Sequence, residues 1–493
     1  MRRNGMTGSG VLRAAVLAAV VGMAPAPLLA QSDDTVTTKQ YDDGSVYEGT
    51  FANGKPDGTG RITYADGGVY EGEWRGGKIT GTGTMRYANG SVYTGAFVEA
   101  RPDGKGKITY PDGGSYDGDW VAGKITGTGV ARYANGSVYT GSFVEGVHSG
   151  LGVMEDPGGY RYDGGWINGV KEGTGEVTYP DGAVYTGAMR GGLRSGVGTL
   201  KLPDGLTYVG EWSGGQINGN GRLVHPNGDV YEGAFVDGQR QGKGKATYAN
   251  GDVFEGEFLA DKRHGPGLFR SADGYVLDGT WVEGTSNGPG KLKYPDGSAY
   301  QGMLVADQPH GSGKITYPDG STYEGDWVKG VIEGKGRATY ANGSVYDGAF
   351  KAAFPDGIGT MTYADGYTYT GQWRAGVRDG MGRATWADGT VYAGEFALGV
   401  RQGKGQITMP DGFVYQGDWT KGEIDGTGVA LYPNGDRYEG AFVKGKRQGQ
   451  GTLTYAGGEV AAGEWLNGIL TAPPEPAATP EDAPTEAPAA DGN

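Results

Sequence analysis

The sequence contains no cysteine and only four histidines among its 493 residues. Disulfide bonds, thiolate metal sites and cysteine nucleophiles are therefore excluded. His148, His264 and His310 lie between the strands predicted below, and no two of the four histidines have the spacing of metal ligands. The sequence thus predicts a protein that is not an enzyme and that has no cofactor and no metal site.

Long apolar runs are absent except near the N-terminus. Arg2 and Arg3 precede a mostly apolar stretch, residues 11–23, and the small residue Ala30 follows two prolines. This pattern is typical of a secretory signal peptide and is too short for a stable membrane span. We expect residues 1–30 to be removed near Ala30. The mature protein is then exported to the periplasm or the cell surface.

Basic residues are outnumbered by acidic ones. The chain has 43 basic and 58 acidic residues, and loss of the three arginines in residues 1–30 leaves 40 basic residues and a net charge of −18. Such a chain is repelled by nucleic acid, which we exclude as a partner. Anionic phospholipid is disfavoured as a partner for the same reason.

Glycine, in contrast, is abundant, with 102 residues, and it recurs in a strict repeat. A tyrosine-led pattern returns every 23 residues from Tyr41 to Tyr455, which gives 18 full copies, and a partial copy ends at Gly468. Self-similarity at a fixed period of this length indicates a repeat architecture.

Each repeat reads as two short strands and two turns, numbered here from its first tyrosine. Positions 3 and 4 are Asp-Gly or Asn-Gly in 17 of 19 copies, which predicts a tight two-residue turn. Positions 7–11 and 18–22 alternate between large or tiny residues and polar ones, as β-strands do. The remaining positions, 13–17, are expected to form five-residue loops. Two strands per repeat predict about 37 strands.

The alternation also assigns the faces of the strands. Positions 7 and 11 carry aromatic rings in most repeats, and positions 9, 18 and 20 are glycine on the same predicted face. Rings lying flat over glycines would explain this constant use of glycine. The predicted structural ladder includes Tyr47, Gly49, Trp74, Tyr93, Trp120, Trp327, Trp373 and Trp419.

The pattern Y-x-D/N-G-x-x-Y-x-G-x-F/W-x-x-G-x-x-x-G-x-G resembles the MORN repeat family (membrane occupation and recognition nexus). The resemblance implies a string of β-hairpins. The family name also suggests a link to membranes. Relatives in phosphoinositide kinases and histone-lysine methyltransferases carry the repeats beside a separate catalytic domain, for which the repeat array of this chain leaves no room. The fold prediction is therefore all-β: one long antiparallel meander of about 18 consecutive 23-residue β-hairpins, coiled as in MORN proteins.

Basic residues recur in the predicted loops, mostly at a spacing of two repeats. Their arrangement would form a cationic row along one side of the sheet, able to contact a protein partner or an anionic ligand. Solubilising loop charge is the simpler alternative. The candidate contacts are Arg101, His148, Arg194, Arg240, Arg263, His264, His310, Arg401 and Arg447.

The sequence accordingly predicts a signal peptide at 1–30, a polar lead-in at 31–40, a repeat array at 41–468 and a disordered tail at 469–493, rich in proline, alanine and acid. The predicted function is a non-enzymatic scaffold of the cell envelope that binds protein, including a second copy of itself. The alternative is an envelope module that binds lipid or glycan through its aromatic face or its basic loops.

Overall fold

The structure, a computed structural model, describes residues 33–472, which divide into two units, 33–177 and 178–472. Every regular element in this range is a β-strand. The predicted signal peptide lies outside the described residues, as does the predicted tail beyond its first four residues.

The first unit contains β1 to β12 and all but the last residue of β13. Consecutive strands from β1 to β12 pair antiparallel. The strands are β1 Asp33–Gln40, β2 Val46–Ala52, β3 Lys55–Thr63, β4 Val69–Arg75, β5 Lys78–Arg86, β6 Val92–Val98, β7 Arg101–Thr109, β8 Ser115–Val121, β9 Lys124–Arg132, β10 Val138–Val144, β11 Val147–Glu155, β12 Arg161–Ile167 and β13 Val170–Thr178.

The second unit continues the same alternation, and consecutive strands from β14 to β39 pair antiparallel. The strands are β14 Val184–Arg190, β15 Leu193–Lys201, β16 Thr207–Ser213, β17 Gln216–Val224, β18 Val230–Val236, β19 Gln239–Thr247, β20 Val253–Leu259, β21 Lys262–Arg270, β22 Val276–Val282, β23 Thr285–Lys293, β24 Ala299–Val305, β25 Gln308–Thr316, β26 Thr322–Val328, β27 Val331–Thr339, β28 Val345–Lys351, β29 Phe354–Thr362, β30 Thr368–Arg374, β31 Val377–Thr385, β32 Val391–Ala397, β33 Val400–Thr408, β34 Val414–Thr420, β35 Glu423–Leu431, β36 Arg437–Val443, β37 Lys446–Thr454, β38 Val460–Leu466 and β39 Ile469–Ala472.

Each repeat contributes one strand of seven residues and one of nine, as β4 and β5 illustrate. The predicted all-β array of antiparallel hairpins is confirmed, with 39 strands in place of about 37. The two additional strands lie at the ends of the array. β1 occupies the predicted lead-in and pairs with β2, and β39 occupies the first residues of the predicted tail and pairs with β38.

The two kinds of turn are the reverse of those predicted. Positions 13 and 14 form the two-residue turn, as at Asn53 and Gly54, whose φ angles are 51° and 73°. Positive φ at both central residues is the signature of a type I′ hairpin turn. Positions 15–17, predicted as loop, already belong to the long strand.

The Asx-Gly pairs lie instead in the five-residue connection at positions 1–5. The Gly44 amide donates to the Tyr41 carbonyl at 3.0 Å, and the Tyr41 amide donates to the Ser45 carbonyl at 2.8 Å. Only the glycine has positive φ, at 87°, while Asp43 accepts a hydrogen bond from the Ser45 amide at 2.9 Å. This is a type I turn closed by a glycine bulge, which uses the same dipeptide as a type I′ turn.

The predicted division between an aromatic and a polar face is confirmed. Tyr70 is fully buried and Trp74 is 7% exposed, whereas Glu71 between them is exposed. Beneath the Tyr70 ring lie Gly72 and its cross-strand partner Gly83, where an added Cβ would stand 2.4–2.6 Å from the Tyr70 ring or hydroxyl. The glycines at positions 9 and 20 therefore provide the space that the ring occupies.

The glycine at position 18 has a different physical reason. The register shifts between Gly72 and Trp74, and Gly81 on the facing strand adopts a φ of +64°. A Cβ there would meet the Glu73 side chain on the polar face, at 2.2 Å, not the rings. The glycine is needed for the left-handed backbone of this bulge, so the prediction that it lies under a ring is wrong.

Candidate binding groove

The rings at positions 7 and 11 form a row along each unit. The Tyr47 ring centre lies 5.1 Å from Phe51 in its own repeat and 5.1 Å from Trp74 in the next, nearly perpendicular to both. Edge-to-face pairs at such distances are favourable beyond the area that they bury. We call this row the aromatic ladder. It contains the predicted structural residues Tyr47, Trp74, Tyr93, Trp120, Trp327, Trp373 and Trp419, and Gly49 lies against Tyr47.

The polar atoms of the ladder are satisfied inside the sheet. Trp120 Nε1 donates to the carbonyl of Gly106 in the preceding repeat at 3.0 Å, and the Tyr93 hydroxyl donates to the Ala96 carbonyl at 2.9 Å. Burial raises the pKa of Tyr93 to about 12, so this hydroxyl keeps its proton. These rings are therefore largely occupied by packing within the sheet, and Trp74 also lines the groove described next.

A groove of about 520 Å³ nevertheless opens on the aromatic face of the first unit. The tyrosines at position 1, Tyr41 and Tyr64, form one wall, and Ile62 and Ile79 lie on its floor. The opposite wall follows the two-residue turns, where Lys78 forms a 2.7 Å salt bridge with Glu99. The groove thus runs between the two edges of the repeats and is lined by positions 1, 16 and 22.

The second unit has a groove of about 520 Å³ at the equivalent positions. Its lining includes Tyr248 at position 1, Arg263 at position 16 and Phe269 at position 22. The Asp229 and Asp252 side chains of the five-residue connections also line it. Position 16 therefore decides whether the floor of the groove is apolar, as at Ile79, or cationic, as at Arg263.

Five of the nine predicted contact residues are arginines at position 16. Each guanidinium lies over the position-11 ring of the following repeat. The distances from Cζ to the ring centre are 4.2 Å for Arg194 and Trp212, 5.4 Å for Arg240 and Phe258, 4.2 Å for Arg263 and Trp281, 4.3 Å for Arg401 and Trp419, and 4.4 Å for Arg447 and Trp465. These arginines lie within strands and not in loops as predicted.

Most of these arginines also hydrogen-bond the next two-residue turn. Arg401 Nη2 donates to the Gly422 carbonyl at 2.7 Å, and Arg447 Nη2 donates to the Gly468 carbonyl at 2.8 Å. Burial lowers the pKa of Arg401 from its ordinary value. The guanidinium groups thus connect neighbouring repeats while remaining partly exposed at the floor of the groove.

His148 occupies the same position 16 in the first unit. Its ring stacks on Tyr139 with 3.7 Å between centres and an angle of 15° between planes, and its Nε2 lies 2.6 Å from the Tyr133 hydroxyl. Burial lowers the pKa of His148 below its usual value of 6.5. The ring is therefore neutral at pH 7 and packs as an aromatic group.

The other three predicted contacts lie elsewhere. Arg101 is exposed at the first residue of β7, beside a two-residue turn. His264 and His310 occupy position 17, and His310 Nδ1 accepts a hydrogen bond from the Lys329 amide in the next turn at 3.4 Å. The structure therefore does not bring the nine candidates together as one row, and their role as partner contacts stays a prediction.

Sequence reasoning missed two further position-16 bases. Arg378 lies 5.4 Å from the Phe396 ring and donates to the Gly399 carbonyl at 2.6 Å. The Lys171 ammonium lies 4.4 Å from the centre of the Tyr160 ring. Repeat numbering alone would have found both, because they share position 16 with the arginines above.

Sequence reasoning also missed the polar-face grooves of the second unit, two of which exceed 500 Å³. The larger, about 800 Å³, has Lys404, Gln416 and Glu439 in its lining. The other, about 520 Å³, lies against Pro266, Pro289 and Met303. No motif in the sequence marks them.

The aromatic ladder is interrupted within the second unit. Leu277 stands at position 7 and Leu304 at position 11, both fully buried. Between them Ser286 occupies position 16 with no exposed surface, and its hydroxyl has no hydrogen-bond partner among the described residues. The core is thus locally smaller here and contains a hydroxyl without a partner among the described residues.

Two features are absent from residues 33–472. No three or more histidine, aspartate or glutamate side chains are placed to hold a metal ion together. This part of the chain also contains no helix with the length and hydropathy needed to cross a membrane.

The 23-residue unit matches a family model along nearly the whole described chain. The model of the MORN repeat matches 18 consecutive segments, from 47–69 to 438–460. The chain belongs to the MORN repeat family. None of the curated proteins matches it.

Solved structures with local similarity to this MORN protein are distant. The TCP10 domain of CPAP from Danio rerio, solved with a peptide of STIL, is 17% identical over 54% of this chain and 98% of that chain, with a TM-score of 0.22. The TCP domain of SAS-4 from Drosophila melanogaster, solved with a proline-rich motif of Ana2, is 19% identical over 35% and 88%, with a TM-score of 0.22. At these TM-scores the similarities carry no functional argument.

Proposed function

We propose that this MORN protein is a non-enzymatic scaffold of the cell envelope that binds protein segments, including those of a second copy, in the groove of its aromatic face. The observation that carries the proposal is the groove itself, which recurs at positions 1, 16 and 22 in both units. Both cavities place a position-1 tyrosine beside floor residues at positions 16 and 22, and an extended polypeptide is the chemistry that fits positions repeated along a chain.

The walls of the groove favour protein over a small ligand. Half-buried tyrosines such as Tyr64 provide flat contact surfaces, and burial raises the pKa of Tyr64, so its hydroxyl remains a hydrogen-bond donor. Lys78 and Glu99 on the opposite wall supply charges of both signs. Tyrosine-rich surfaces with a mixed polar rim are typical of protein interfaces.

The envelope location rests on the sequence of residues 1–30. Fractionation of the producing cells, with N-terminal sequencing of the mature chain, tests it. The expected mature N-terminus is Gln31, in a compartment outside the inner membrane. An intracellular chain that still carries Met1–Arg2–Arg3 would refute it.

The lipid- or glycan-binding alternative has less support. Its aromatic version would rely on the half-buried position-1 tyrosines alone, because the ladder rings are buried, as Trp120 with 6% exposure illustrates. Its lipid version requires free basic side chains, whereas most of the position-16 arginines donate to turn carbonyls.

A photo-cross-linking experiment in the producing cells tests the protein-binding proposal. Benzoylphenylalanine replaces Tyr64 in the groove or, as the matched control, Glu71 on the polar face of the same repeat. We expect a discrete cross-linked protein, or a covalent dimer, from position 64 alone. Adducts of equal yield from both positions, or from neither, would reject binding in the groove.

A further inference from the structure

Arg263 differs from the other arginines at position 16 of the repeat. Each of the others donates a hydrogen bond from Nη2 to a carbonyl of the next two-residue turn. They are Arg194, Arg240, Arg378, Arg401 and Arg447. Arg263 has no hydrogen bond and no ion pair within residues 33–472, and its side chain is half-buried. A guanidinium carries five N–H groups, so all of them are available to a ligand.

Three aromatic rings surround this guanidinium. Its Cζ lies 4.2 Å from the centre of the Trp281 ring, 5.5 Å from that of Phe254 and 5.6 Å from that of Phe269. Phe269 is the one aromatic residue at position 22 among the 18 full repeats. Attraction between the cation and the ring faces holds the guanidinium without using its N–H groups. The position of Arg263 is therefore set by packing and not by hydrogen bonds.

Two carboxylates line the same cavity of about 520 Å³. Asp229 accepts a hydrogen bond from the Ala249 amide at 2.8 Å, and Asp252 accepts one from the Ala272 amide at 2.9 Å. The bond from the Ala249 amide lowers the pKa of Asp229 below its ordinary value. Because backbone donors stabilise the charged form of a carboxylate, the wall formed by the five-residue connections is negative at neutral pH.

The charges of this cavity do not neutralise one another. Its charged lining residues are Asp229, Asp252 and Arg263, and none of them forms an ion pair with another in the described part of the chain. The neighbouring Arg240 is occupied by Asp261, with 3.2 Å between Nε and Oδ1. A lone carboxylate in the cavity would be repelled by the wall, and a lone amine would be repelled by the arginine. A ligand that carries charges of both signs is therefore complementary to this cavity.

From these observations we propose that this cavity binds a polypeptide segment with one acidic and one basic side chain. The carboxylate of the segment is bound by Arg263, and its cationic group lies against Asp229 and Asp252. The inference rests on the proposed function, because it assigns the chemistry of a segment bound in the same aromatic-face groove. In the first unit the equivalent floor residue is Ile79, so the requirement for a carboxylate is specific to the cavity at Arg263.

Short peptides with blocked ends test the charge requirement on the full mature chain. The probes are acetylated, amidated peptides that contain Glu and Lys, either adjacent or separated by one Gly, and peptides in which Gln replaces the Glu or the Lys. Dissociation constants are measured by ligand-observed magnetic resonance. We expect a peptide with both charges to bind at least about tenfold more tightly than either singly charged peptide. Free glutamine, which carries both charges on one carbon atom, should bind more weakly than that peptide.

Substitutions with residues that occur at the same repeat positions identify the site. Arg263→Ile, which copies Ile217, should weaken the binding of the doubly charged peptide at least about tenfold. Arg270→Thr, which copies Thr247, removes a base from the polar face of the same repeat and is the matched control, with no change expected. If Arg263→Ile does not fold, Arg263→Lys keeps the charge without the planar fork and should weaken binding several-fold.

The wall has its own test. Asp252→Ser, which copies Ser298, should strengthen the binding of the peptide that carries only Glu. No binding of any peptide to the unaltered chain, equal losses from the substitutions at Arg263 and Arg270, or tighter binding of free glutamine would overturn the proposal. A discrete cross-link from position 64 together with any of these results would reject this inference alone. Failure of the cross-link would instead reject the proposed function.

Discussion

The indole Nε1 of Trp120 donates a hydrogen bond to the Gly106 carbonyl, which lies one repeat earlier, at 3.0 Å. The bond is buried and ties neighbouring repeats together. Trp120→Phe keeps most of the ring but leaves this acceptor without its donor, so we expect a loss of about 2 kcal/mol from the unfolding free energy. Denaturant unfolding with hydrogen exchange in β7 and β8 measures the effect.

Trp386→Phe is the matched control for this substitution. Trp386 occupies position 1, is partly exposed and contacts Tyr367 at 5.2 Å, and its indole makes no hydrogen bond within residues 33–472. A change of less than about 0.5 kcal/mol is expected there. Equal losses from the two substitutions would show that ring volume, and not the inter-repeat bond, accounts for the effect.

Alanine substitution should have very different effects at two glycines on either side of one repeat boundary, Gly152 and Gly158. A Cβ at Gly152 would stand 2.2 Å from the Tyr139 hydroxyl, whereas a Cβ at Gly158 would meet nothing within 4 Å. Gly152→Ala should therefore destabilise the first unit by about 3 kcal/mol or prevent its folding. Gly158→Ala should change the unfolding free energy by less than about 0.5 kcal/mol. Thermal unfolding of both variants tests this difference in stability. An unchanged unfolding temperature for Gly152→Ala would contradict the packing of the Tyr139 ring over the glycine.

The repeat period, the strands and their faces could be predicted because each follows from residue alternation at fixed spacing. Tyr70 and Glu71 differ in burial as their parity requires. The turn lengths could not be predicted, since Asp43-Gly44 satisfies both a type I′ turn and a type I turn with a glycine bulge. The choice depends on the φ of the aspartate, which local sequence does not determine.

The candidate site was less predictable than the fold. Arg401 and Trp419 meet because two strands of successive repeats bring positions 16 and 11 together, 18 residues apart in sequence. A search for loop charges groups Arg101, His264 and Arg401, which the structure places at three different positions. Whether a basic side chain packs on a ring or faces solvent depends on the pairing register between strands of successive repeats.

His148 should make the stability of the first unit depend on pH. Because burial lowers its folded pKa, the unfolded chain takes up a proton near pH 6.5 while the folded chain does so only at lower pH. Stability is therefore full above about pH 7.5 and falls as pH drops through 6.5. His148→Ile, which copies Ile125 of the preceding repeat, should remove this decrease. Unfolding temperatures compared between pH 7.5 and 5.5 test it, and equal slopes for both proteins would refute it.

The mature chain should not bind membranes through its basic residues. Its net charge is −18 without residues 1–30, and the position-16 arginines are tied to ring faces and turn carbonyls. In co-sedimentation of residues 31–493 with anionic and with neutral vesicles, we expect no binding at low or at high salt. Binding to anionic vesicles alone, lost at high salt, would instead favour the lipid alternative over the protein scaffold.

Removal of the buried Ser286 hydroxyl, where the aromatic ladder is interrupted, should raise the unfolding free energy, whereas the substitutions above lower it. Ser286 has no exposed surface, and its Oγ has no hydrogen-bond partner among the described residues, whereas the Oγ of Ser298 donates to Asp296 at 3.0 Å. Ser286→Ala removes an unsatisfied polar group and should raise the unfolding free energy by about 1 kcal/mol. Ser298→Ala removes a made bond and should lower it by about 1 kcal/mol. Denaturant unfolding of the two variants side by side gives both signs, and a loss of stability in Ser286→Ala would mean that its hydroxyl is bonded after all.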